Sequence, residues 1–261
     1  MVGLSVFQEM RVSRIWALSL FLVSVGSLCA AGSHTLLDNS PSPLPTNDLL
    51  TSKDIPWLWD RVWKVPPSQG VSLLMENIEL RGSTMTARGR PTSPTIATST
   101  KVTPLIHVEV NVFEPPKSPE QFNDKILGIV LRTAERSTSG WVQLDYEARP
   151  SGKGAYKELV RRIHEKLPPN VRLSVTALAW WCRSDAWLND LAADEVVPMF
   201  FRMGKDAATM REVLLNDPDK LHPKCRNAAI GVSRQEPEIL PASERYQKRY
   251  WFDNTAWKTD F

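Results

Sequence analysis

Residues 140–147 read GWVQLDYE, a short β-strand pattern that ends in two carboxylates, Asp145 and Glu147. The side chains of a strand point alternately to its two faces, so Gln143 shares one face with both acids while the other face is apolar. Buried carboxylates are costly unless they are paired, hydrogen-bonded or used in chemistry. In barrels of alternating strands and helices, catalytic groups usually lie at the C-terminal ends of the strands. The pattern therefore predicts a functional site at the end of this strand.

Strand and helix patterns alternate on both sides of this stretch. Upstream, residues 105–112 alternate between apolar side chains on one face and His107, Glu109 and Asn111 on the other. Ser118 then predicts an N-cap, with Pro119 in the first turn of a helix that extends to about residue 136. Downstream, helices are predicted over 154–166, 186–191 and 206–216, and strands over 171–181, 194–202, 228–233 and 249–252.

Alternation at this spacing indicates parallel βαβ units. Two further strand patterns, at residues 57–63 and 70–80, bring the candidates to eight. Residues 81–102 lack helical periodicity and predict a hairpin or an irregular excursion, so the first two connections lack good helices. We predict an α/β fold, a single (β/α)8 TIM-barrel-like domain that is irregular in its first two βα units. An open α/β sheet is the alternative.

The first 31 residues have the pattern of a secretory signal peptide. Arg11 and Arg14 precede an apolar run at residues 15–25, and small residues follow up to Ala31. The apolar run is short for a membrane span, so we expect cleavage after Ala31 and no stable span afterwards. An uncleaved membrane anchor is the alternative. The sequence thus predicts an exported protein, periplasmic or extracellular.

The remaining composition bounds the domain organisation and the partners. Residues 32–54 are rich in Ser and Pro and predict a linker, which leaves residues 55–261 for the barrel domain. Removal of residues 1–31, with two Arg and one Glu, lowers the formal charge from +3 to +2, too mild a charge to favour nucleic acid. No Walker loop, G-x-S-x-G, G-x-G-x-x-G or H-E-x-x-H motif is present, so no cofactor is predicted. We expect a monomer.

Two cysteines remain after removal of the signal peptide, Cys182 and Cys225. Exported proteins meet an oxidising compartment, in which free exposed thiols are a liability. We therefore favour a disulfide over two free thiols. It would close a loop of about 44 residues and contribute roughly 4 kcal/mol in the chain-entropy model.

A barrel would turn the polar faces of two neighbouring strands into its lumen. Asp145 and Glu147, with Cα atoms about 6.6 Å apart at ~3.3 Å per residue, can repel each other and keep one carboxyl protonated near neutral pH. Glu147 is the candidate general acid, and Asp145 the residue that orients and stabilises. Acids and aromatic rings around one mouth suit a sugar. The candidate substrate-binding residues are Gln143, Glu109, His107, Trp180, Trp181, Arg202 and Glu236.

Structural interpretations compete with each of these assignments. Asp145 could cap a loop or pair with Arg149 or Arg202. His107 with Glu109 lacks a third ligand at useful spacing, so a hydrogen-bonded interior histidine is favoured over a metal site, and no metal is predicted. Trp180 and Trp181 face opposite ways, so one of them is expected in the core.

Three segments resemble an uncharacterised bacterial family, domain of unknown function 3142. They are Trp141–Ala148, Val171–Cys182 (VRLSVTALAWWC) and Asp194–Gly204 (DEVVPMFFRMG), and the later Gly231–Pro237 and Tyr250–Trp257 also fit. The resemblance covers roughly residues 104 to 257. It implies a barrel-like fold and says little about chemistry.

A more distant similarity is to chitinase-type glycosidases, whose fourth strand ends D-x-D-x-E. The same spacing here reads Gln143-x-Asp145-x-Glu147. The resemblance implies that Glu147 is the acid and that Asp145 positions the acetamido group of the substrate, which itself acts as nucleophile. The first Asp of the motif is Gln143 here. The Tyr that those enzymes carry on a later strand is also missing, since this chain has Met199, Phe200 and Phe201 in that region.

Two hypotheses follow. The first is a glycosidase-like hydrolase that acts on a cell-envelope or extracellular glycan with strand-end carboxylates as acid and base. The second is a non-catalytic envelope protein that binds carbohydrate or another protein through the same mouth. Glu147→Gln separates them, because it removes turnover in the first case and leaves binding intact in the second.

Overall fold

The computed structural model describes residues 52–59, 70–90, 96–184, 188–233 and 235–252. Eight parallel strands form a closed barrel in the order β1-β2-β4-β5-β6-β7-β8-β9, with β9 pairing back onto β1, and β3 pairs antiparallel with β2 outside the ring. The predicted (β/α)8 barrel is therefore confirmed. The strands are β1 (Asp54–Leu58), β2 (Val71–Arg81), β3 (Thr84–Gly89), β4 (Val102–Val110), β5 (Trp141–Tyr146), β6 (Arg172–Leu178), β7 (Glu195–Met199), β8 (Ala229–Ser233) and β9 (Lys248–Phe252).

Helices follow the strands most regularly in the middle of the chain. They are α1 (Asn123–Ala134), α2 (Lys153–Lys166), α3 (Trp181–Ser184), α4 (Ala207–Asn216) and α5 (Leu240–Ser243). In the described part of the β2–β4 connection, the hairpin formed by β2 and β3 replaces a helix, as the irregular pattern of residues 81–102 predicted. Across the described ranges, no helix is long and apolar enough to cross a membrane.

Several predicted segments fall wholly or partly outside the described residues. These are the signal peptide, most of the linker, and residues 60–63 of the first predicted strand. The helix predicted over residues 186–191 is described only from Leu188 onward. The helical turn in this region is α3, which begins three residues after the end of β6 and precedes the predicted position.

The alternating pattern of β4 separates two hydrophobic layers. Ile106 and Val108 pack with residues of α1 in the outer core, whereas Leu105 belongs to a smaller cluster inside the barrel. Val112, predicted to continue the outer face, is instead 64% exposed. The strand has already ended there. The side-chain oxygen of Asn111 accepts hydrogen bonds from the backbone N–H groups of Phe113 and Glu114, and these bonds turn the chain.

The helical segment begins at the predicted position, but the capping hydrogen bond expected from the Ser118 side chain is not formed. Ser118 occupies the N-cap of a short 3-10 turn, Pro119–Phe122, that leads into α1. Its side chain makes no capping hydrogen bond; its carbonyl accepts from the backbone and the side chain of Gln121 instead. The residue types therefore located the helix start, while the stabilising contacts are made by other atoms.

A disulfide joins Cys182 in α3 to Cys225 in the segment before β8, with a Cα–Cα distance of 5.9 Å. It connects the loop that follows β6 with the long connection between β7 and β8. We expect the Cys182→Ala/Cys225→Ala variant to lose about 2–4 kcal/mol of unfolding free energy, because the cross-link restricts the unfolded chain. Urea denaturation of both proteins measures the difference, and equal midpoints with equal slopes would contradict it.

Candidate active site

The site is built around the C-terminal end of β5. Val142, Leu144 and Tyr146 lie in the outer core, so Gln143 and Asp145 face the lumen, as the alternation predicted. Glu147 directly follows the strand, and its backbone N–H donates to the Val108 carbonyl of β4 at 3.2 Å. The residue is thus held in register at the mouth of the barrel, where active sites of this architecture lie.

Asp145 is held from both neighbouring strands. Its Oδ2 is 2.9 Å from Nδ1 of His107 on β4, and its Oδ1 accepts a 2.5 Å hydrogen bond from the hydroxyl of Thr176 on β6. The carboxylate is 6% exposed. The alternative pairing with Arg149 or Arg202 is wrong, because Arg149 donates to a backbone carbonyl at 3.2 Å and Arg202 lies over an aromatic ring.

Glu147 is the less satisfied carboxylate of the pair. Among the residues that the structure describes, none donates a hydrogen bond to its side chain. Burial raises the pKa of Glu147, and the negative charges of Asp145 and Glu109 raise it further, while His107 acts in the opposite direction. A carboxyl group in such surroundings retains its proton at higher pH than an exposed one and can donate it to a substrate.

His107 is a buried histidine with a charged partner. Burial lowers the pKa of His107, but the hydrogen bond to Asp145 and the charges of Asp145, Glu147 and Glu109 outweigh it, so the net shift is upward. The edge of its ring meets Trp59 with the centroids 4.8 Å apart. Within the described ranges, no group of three or more His, Cys, Asp or Glu side chains could hold a metal ion.

Gln143 belongs to the floor of the lumen, one layer below Asp145. Its Oε1 accepts from Nε1 of Trp57 at 2.6 Å and from Ser72 Oγ at 2.8 Å, and its Nε2 donates to Ser174 Oγ at 3.1 Å. The side chain is fully buried. Its amide thus ties four strands of the barrel together, and in this arrangement it supports the site from below.

A buried glutamate continues this polar layer on β7. The Glu195 carboxylate accepts from Ser174 and from the Tyr250 hydroxyl, both at 2.9 Å, and forms an ion pair of 2.6 Å with Lys248. Burial and the charge of Glu195 hold the pKa of Tyr250 well above its usual range. Glu195 is not among the residues predicted from the sequence, because it lies at the start of its strand and not at the end that forms the mouth.

Aromatic rings fill the opposite side of the lumen. Phe201 stacks on Phe252 at a centroid distance of 4.9 Å, and Trp57 stacks on Tyr250 at 5.2 Å. The backbone of β8 comes close here, since a Cβ on Gly231 would lie 2.9 Å from the Trp57 ring. The i, i+2 spacing of Trp57 and Trp59 was the available signal that both rings of this first strand face the same side.

The predicted aromatic pair Trp180–Trp181 lies elsewhere. Trp181 is 1% exposed and packs in the outer core, and the half-buried Trp180 packs against that same core with the Lys153 ammonium 4.9 Å from its ring. The structure therefore does not bring this pair into the cluster inside the barrel. The expectation that one of the two is a core residue is confirmed.

Glu236 and Arg202 form a support for the loop after β7. Arg202 has a positive φ of 52°, unusual for a residue with a side chain. Its backbone N–H donates to Glu236 at 2.6 Å, and Glu236 also pairs with Arg211 at 2.7 Å. The carboxylate of Glu236 is thus committed to the loop, while the guanidinium of Arg202 lies 5.0 Å from the Phe252 ring at the mouth.

Glu109 extends the acidic side of the mouth. It is exposed near the end of β4, and its register partner on β2 is Glu79, whose carboxylate accepts a 3.1 Å hydrogen bond from Asn111. Together with Asp145 and Glu147, these residues give the β2, β4 and β5 side of the mouth a negative charge. The stacked aromatic rings come from β1, from β9 and from the segment after β7, so the two halves differ in chemistry.

Comparison with solved structures finds barrels of similar fold. No family model matches the chain, and no curated protein matches it in sequence. A GH18 chitinase from Pseudoalteromonas aurantia aligns with a TM-score of 0.50 over 78% of this chain and 95% of that one, at 13% identity. The spore cortex-lytic enzyme SleL of Bacillus cereus aligns over 70% of this chain with a TM-score of 0.44 and 18% identity.

These likenesses concern the fold. This chain spans about half the length of the cortex-lytic enzyme, 51%. The chitinase aligns along nearly its whole length, so the distant similarity to chitinase-type barrels is confirmed at the level of architecture. The resemblance to domain of unknown function 3142 stays a prediction.

Proposed function

We propose that this protein is a glycoside hydrolase of the barrel type that acts on a cell-envelope or extracellular glycan, with Glu147 as general acid and Asp145 as its stabilising partner. The observation that supports it is the state of Glu147: a half-buried carboxyl at the mouth, without a hydrogen-bond donor among the described residues, whose pKa is raised by burial and by Asp145 and Glu109. An acid of this kind suits protonation of a glycosidic oxygen near neutral pH.

The two carboxyl groups have different environments and therefore different roles. Asp145, held by His107 and Thr176, remains fixed beside the reacting centre, and its negative charge stabilises the positive charge that develops on the sugar. Glu147 transfers its proton to the departing alcohol and can later take one from the incoming water. By resemblance to chitinase-type enzymes, Asp145 would also orient an acetamido group that attacks the anomeric carbon.

A second candidate is a non-catalytic protein that binds carbohydrate or protein through the same mouth. The departures from the chitinase pattern favour it: Gln143 replaces an acid, and the region of the expected Tyr holds Phe200, which is buried in the outer core, and Phe201, which stacks on Phe252. Two exposed apolar side chains on the rim, Val112 and Phe113 at 64% and 83% exposure, offer a contact surface.

Export belongs to the same proposal. The signal-peptide pattern of residues 1–31 and the Pro-rich segment 32–54 fit a barrel displayed in the periplasm or outside the cell as a monomer. Peptide mapping of the protein recovered from the cell envelope would test it. A mature N-terminus after Ala31 is the expected result, and an intact N-terminus would favour the membrane anchor.

The function itself is tested by product release. The purified protein is incubated with chitin, peptidoglycan and an array of other glycans, and shortened sugars with new reducing ends are measured by mass spectrometry. Release of products by the wild type supports the hydrolase. Binding without products supports the binding protein, and neither binding nor products contradicts both carbohydrate hypotheses.

The indole of Trp59 gives a prediction about stability. Its Nε1 is buried and has no hydrogen-bond partner among the described residues. We expect Trp59→Phe to leave the free energy of unfolding unchanged or to raise it by about 1 kcal/mol, because it removes a buried donor that lacks an acceptor. Urea denaturation of both proteins measures the difference.

Trp251→Phe is the matched control for this variant. It makes the same chemical change, but its Nε1 already donates to Asp54 within the protein at 2.6 Å. We expect Trp251→Phe to lower the free energy of unfolding by about 1–3 kcal/mol, because it leaves Asp54 without this donor. An equal loss of stability in Trp59→Phe would contradict the prediction.

A further inference from the structure

We infer that His107 is a positioning residue of this site: as a cation it binds Asp145, and it thereby offsets the negative charge beside Glu147. The inference rests on the proposed role of Glu147 as the acid. It gives a residue of β4 a role in the proposed reaction, in addition to the acidic residues at the end of β5.

The contact is fixed by the sheet itself. His107 and Asp145 are register partners on the adjacent parallel strands β4 and β5, so the backbone ladder holds both side chains at the same level of the lumen. Their 2.9 Å Nδ1–Oδ2 contact is buried, with 11% and 6% of the two side chains exposed. The Trp59 ring meets the imidazole and limits its rotation. A rigid, dehydrated pair of this kind interacts more strongly than an exposed one.

Gln143, one layer below, makes no hydrogen bond to Asp145. Its Oε1 accepts from Trp57 and Ser72, and its Nε2 donates to Ser174. The hydrogen-bond partners of Asp145 come from the two neighbouring strands, Thr176 on β6 and His107 on β4. Thr176 is neutral, so the charged contribution comes from the imidazole.

The charges around the imidazole favour its cationic form. The groups that act on it are carboxylates: Asp145 and Glu147 from β5 and Glu109 from its own strand. On β2, its register partner is the uncharged Asn77. The group that meets the imidazole from the β1 side is the uncharged indole of Trp59. A proton on His107 therefore reduces the net negative charge of this acidic cluster.

The consequence concerns the proton on Glu147. With His107 charged, the pair formed with Asp145 is neutral overall, and Glu147 can lose its proton without creating a second uncompensated anion. With a neutral residue at position 107, the charge of Asp145 acts on Glu147 in full. Glu147 would then hold its proton to higher pH and would be a weaker acid.

A carboxyl titration tests the coupling without requiring turnover. The full-length protein, labelled with ¹³C and ¹⁵N, is titrated by NMR, following the side-chain carboxyl of Glu147 and the ring nitrogens of His107. In His107→Gln we expect the Glu147 midpoint to move to higher pH than in the wild type. In Asp145→Asn we expect the His107 midpoint to move to lower pH. Thr176→Val removes a hydrogen bond from Asp145 but no charge, so it should move Glu147 less.

The outcomes separate this inference from the proposed function. A Glu147 midpoint that stays in place in a folded His107→Gln protein overturns the inference, whether or not the wild type cleaves a glycan. If His107→Gln does not fold, an unmoved His107 midpoint in Asp145→Asn overturns it equally. Where the wild type is active, the basic limb of its pH–rate profile should also shift to higher pH in His107→Gln. A purely structural histidine would lower the rate without that shift.

Discussion

Glu147→Gln is expected to lower the rate of glycan cleavage by about 10²–10⁴-fold, the range that general acid catalysis supplies. Glutamine matches the size of the side chain but cannot donate the proton that the leaving group needs. It also removes a half-buried carboxyl that lies beside Asp145 and Glu109 and whose pKa is raised, so the fold should not suffer. The measurement is kcat and KM on the glycan found in the product-release screen, with thermal unfolding of both proteins.

Glu165→Gln is the matched control, because it makes the same change on the exposed face of α2, where Glu165 pairs with Arg161. It should retain the wild-type rate. We expect Glu147→Gln to bind the glycan as tightly as the wild type or more tightly, since ground-state contacts remain. A rate within a few-fold of the wild type would remove Glu147 from the role of acid.

Arg249→Ala is expected to destabilise the barrel by about 3–5 kcal/mol, the cost of leaving a buried charge without its partner. Arg249 on β9 binds Asp54 on β1 through two hydrogen bonds, of 2.7 and 2.9 Å, across the seam at which the barrel closes. Asp54 is almost fully buried at 1% exposure. Arg249 also contacts Glu244. Urea denaturation followed by tryptophan fluorescence measures the loss.

Two further variants distinguish this effect from a general loss of charge. Arg81→Ala removes an ion pair with Glu114 that is exposed on both sides, so its unfolding midpoint should stay close to that of the wild type. Asp54→Ala/Arg249→Ala removes both buried charges and should be less destabilised than the sum of the single variants. An unchanged midpoint for Arg249→Ala would mean that the seam pair contributes little to closure.

The local patterns in the sequence were sufficient for the strands and their faces. The alternation of residues 140–147 predicted that Gln143 and Asp145 face away from the apolar side of β5, and that of residues 105–112 predicted the same for His107. Both follow from the two-residue repeat of a strand, which each segment carries in itself. The irregular composition of residues 81–102 predicted a hairpin or an irregular excursion in place of a helix, and the structure has the hairpin of β2 and β3.

The partners of those side chains could not be obtained in this way. His107 meets Asp145 across 38 residues of chain, and Trp57 meets Gln143 across 86. Trp181 was expected near the mouth but lies in the outer core, because the chain turns into α3 directly after β6. Adjacent residues beyond the end of a strand no longer follow its alternation, so the predicted position failed there.

The sequence by itself determined that this protein alternates strands and helices, and that two acids share the inner face of one strand. Only the tertiary structure decided that the strands close into a ring, that a histidine rather than an arginine binds Asp145, and that Glu236 supports a loop. The physical reason is the range of the interactions. Side-chain alternation is set by neighbouring residues, whereas register and ring closure depend on hydrogen bonds and packing between segments far apart in the chain.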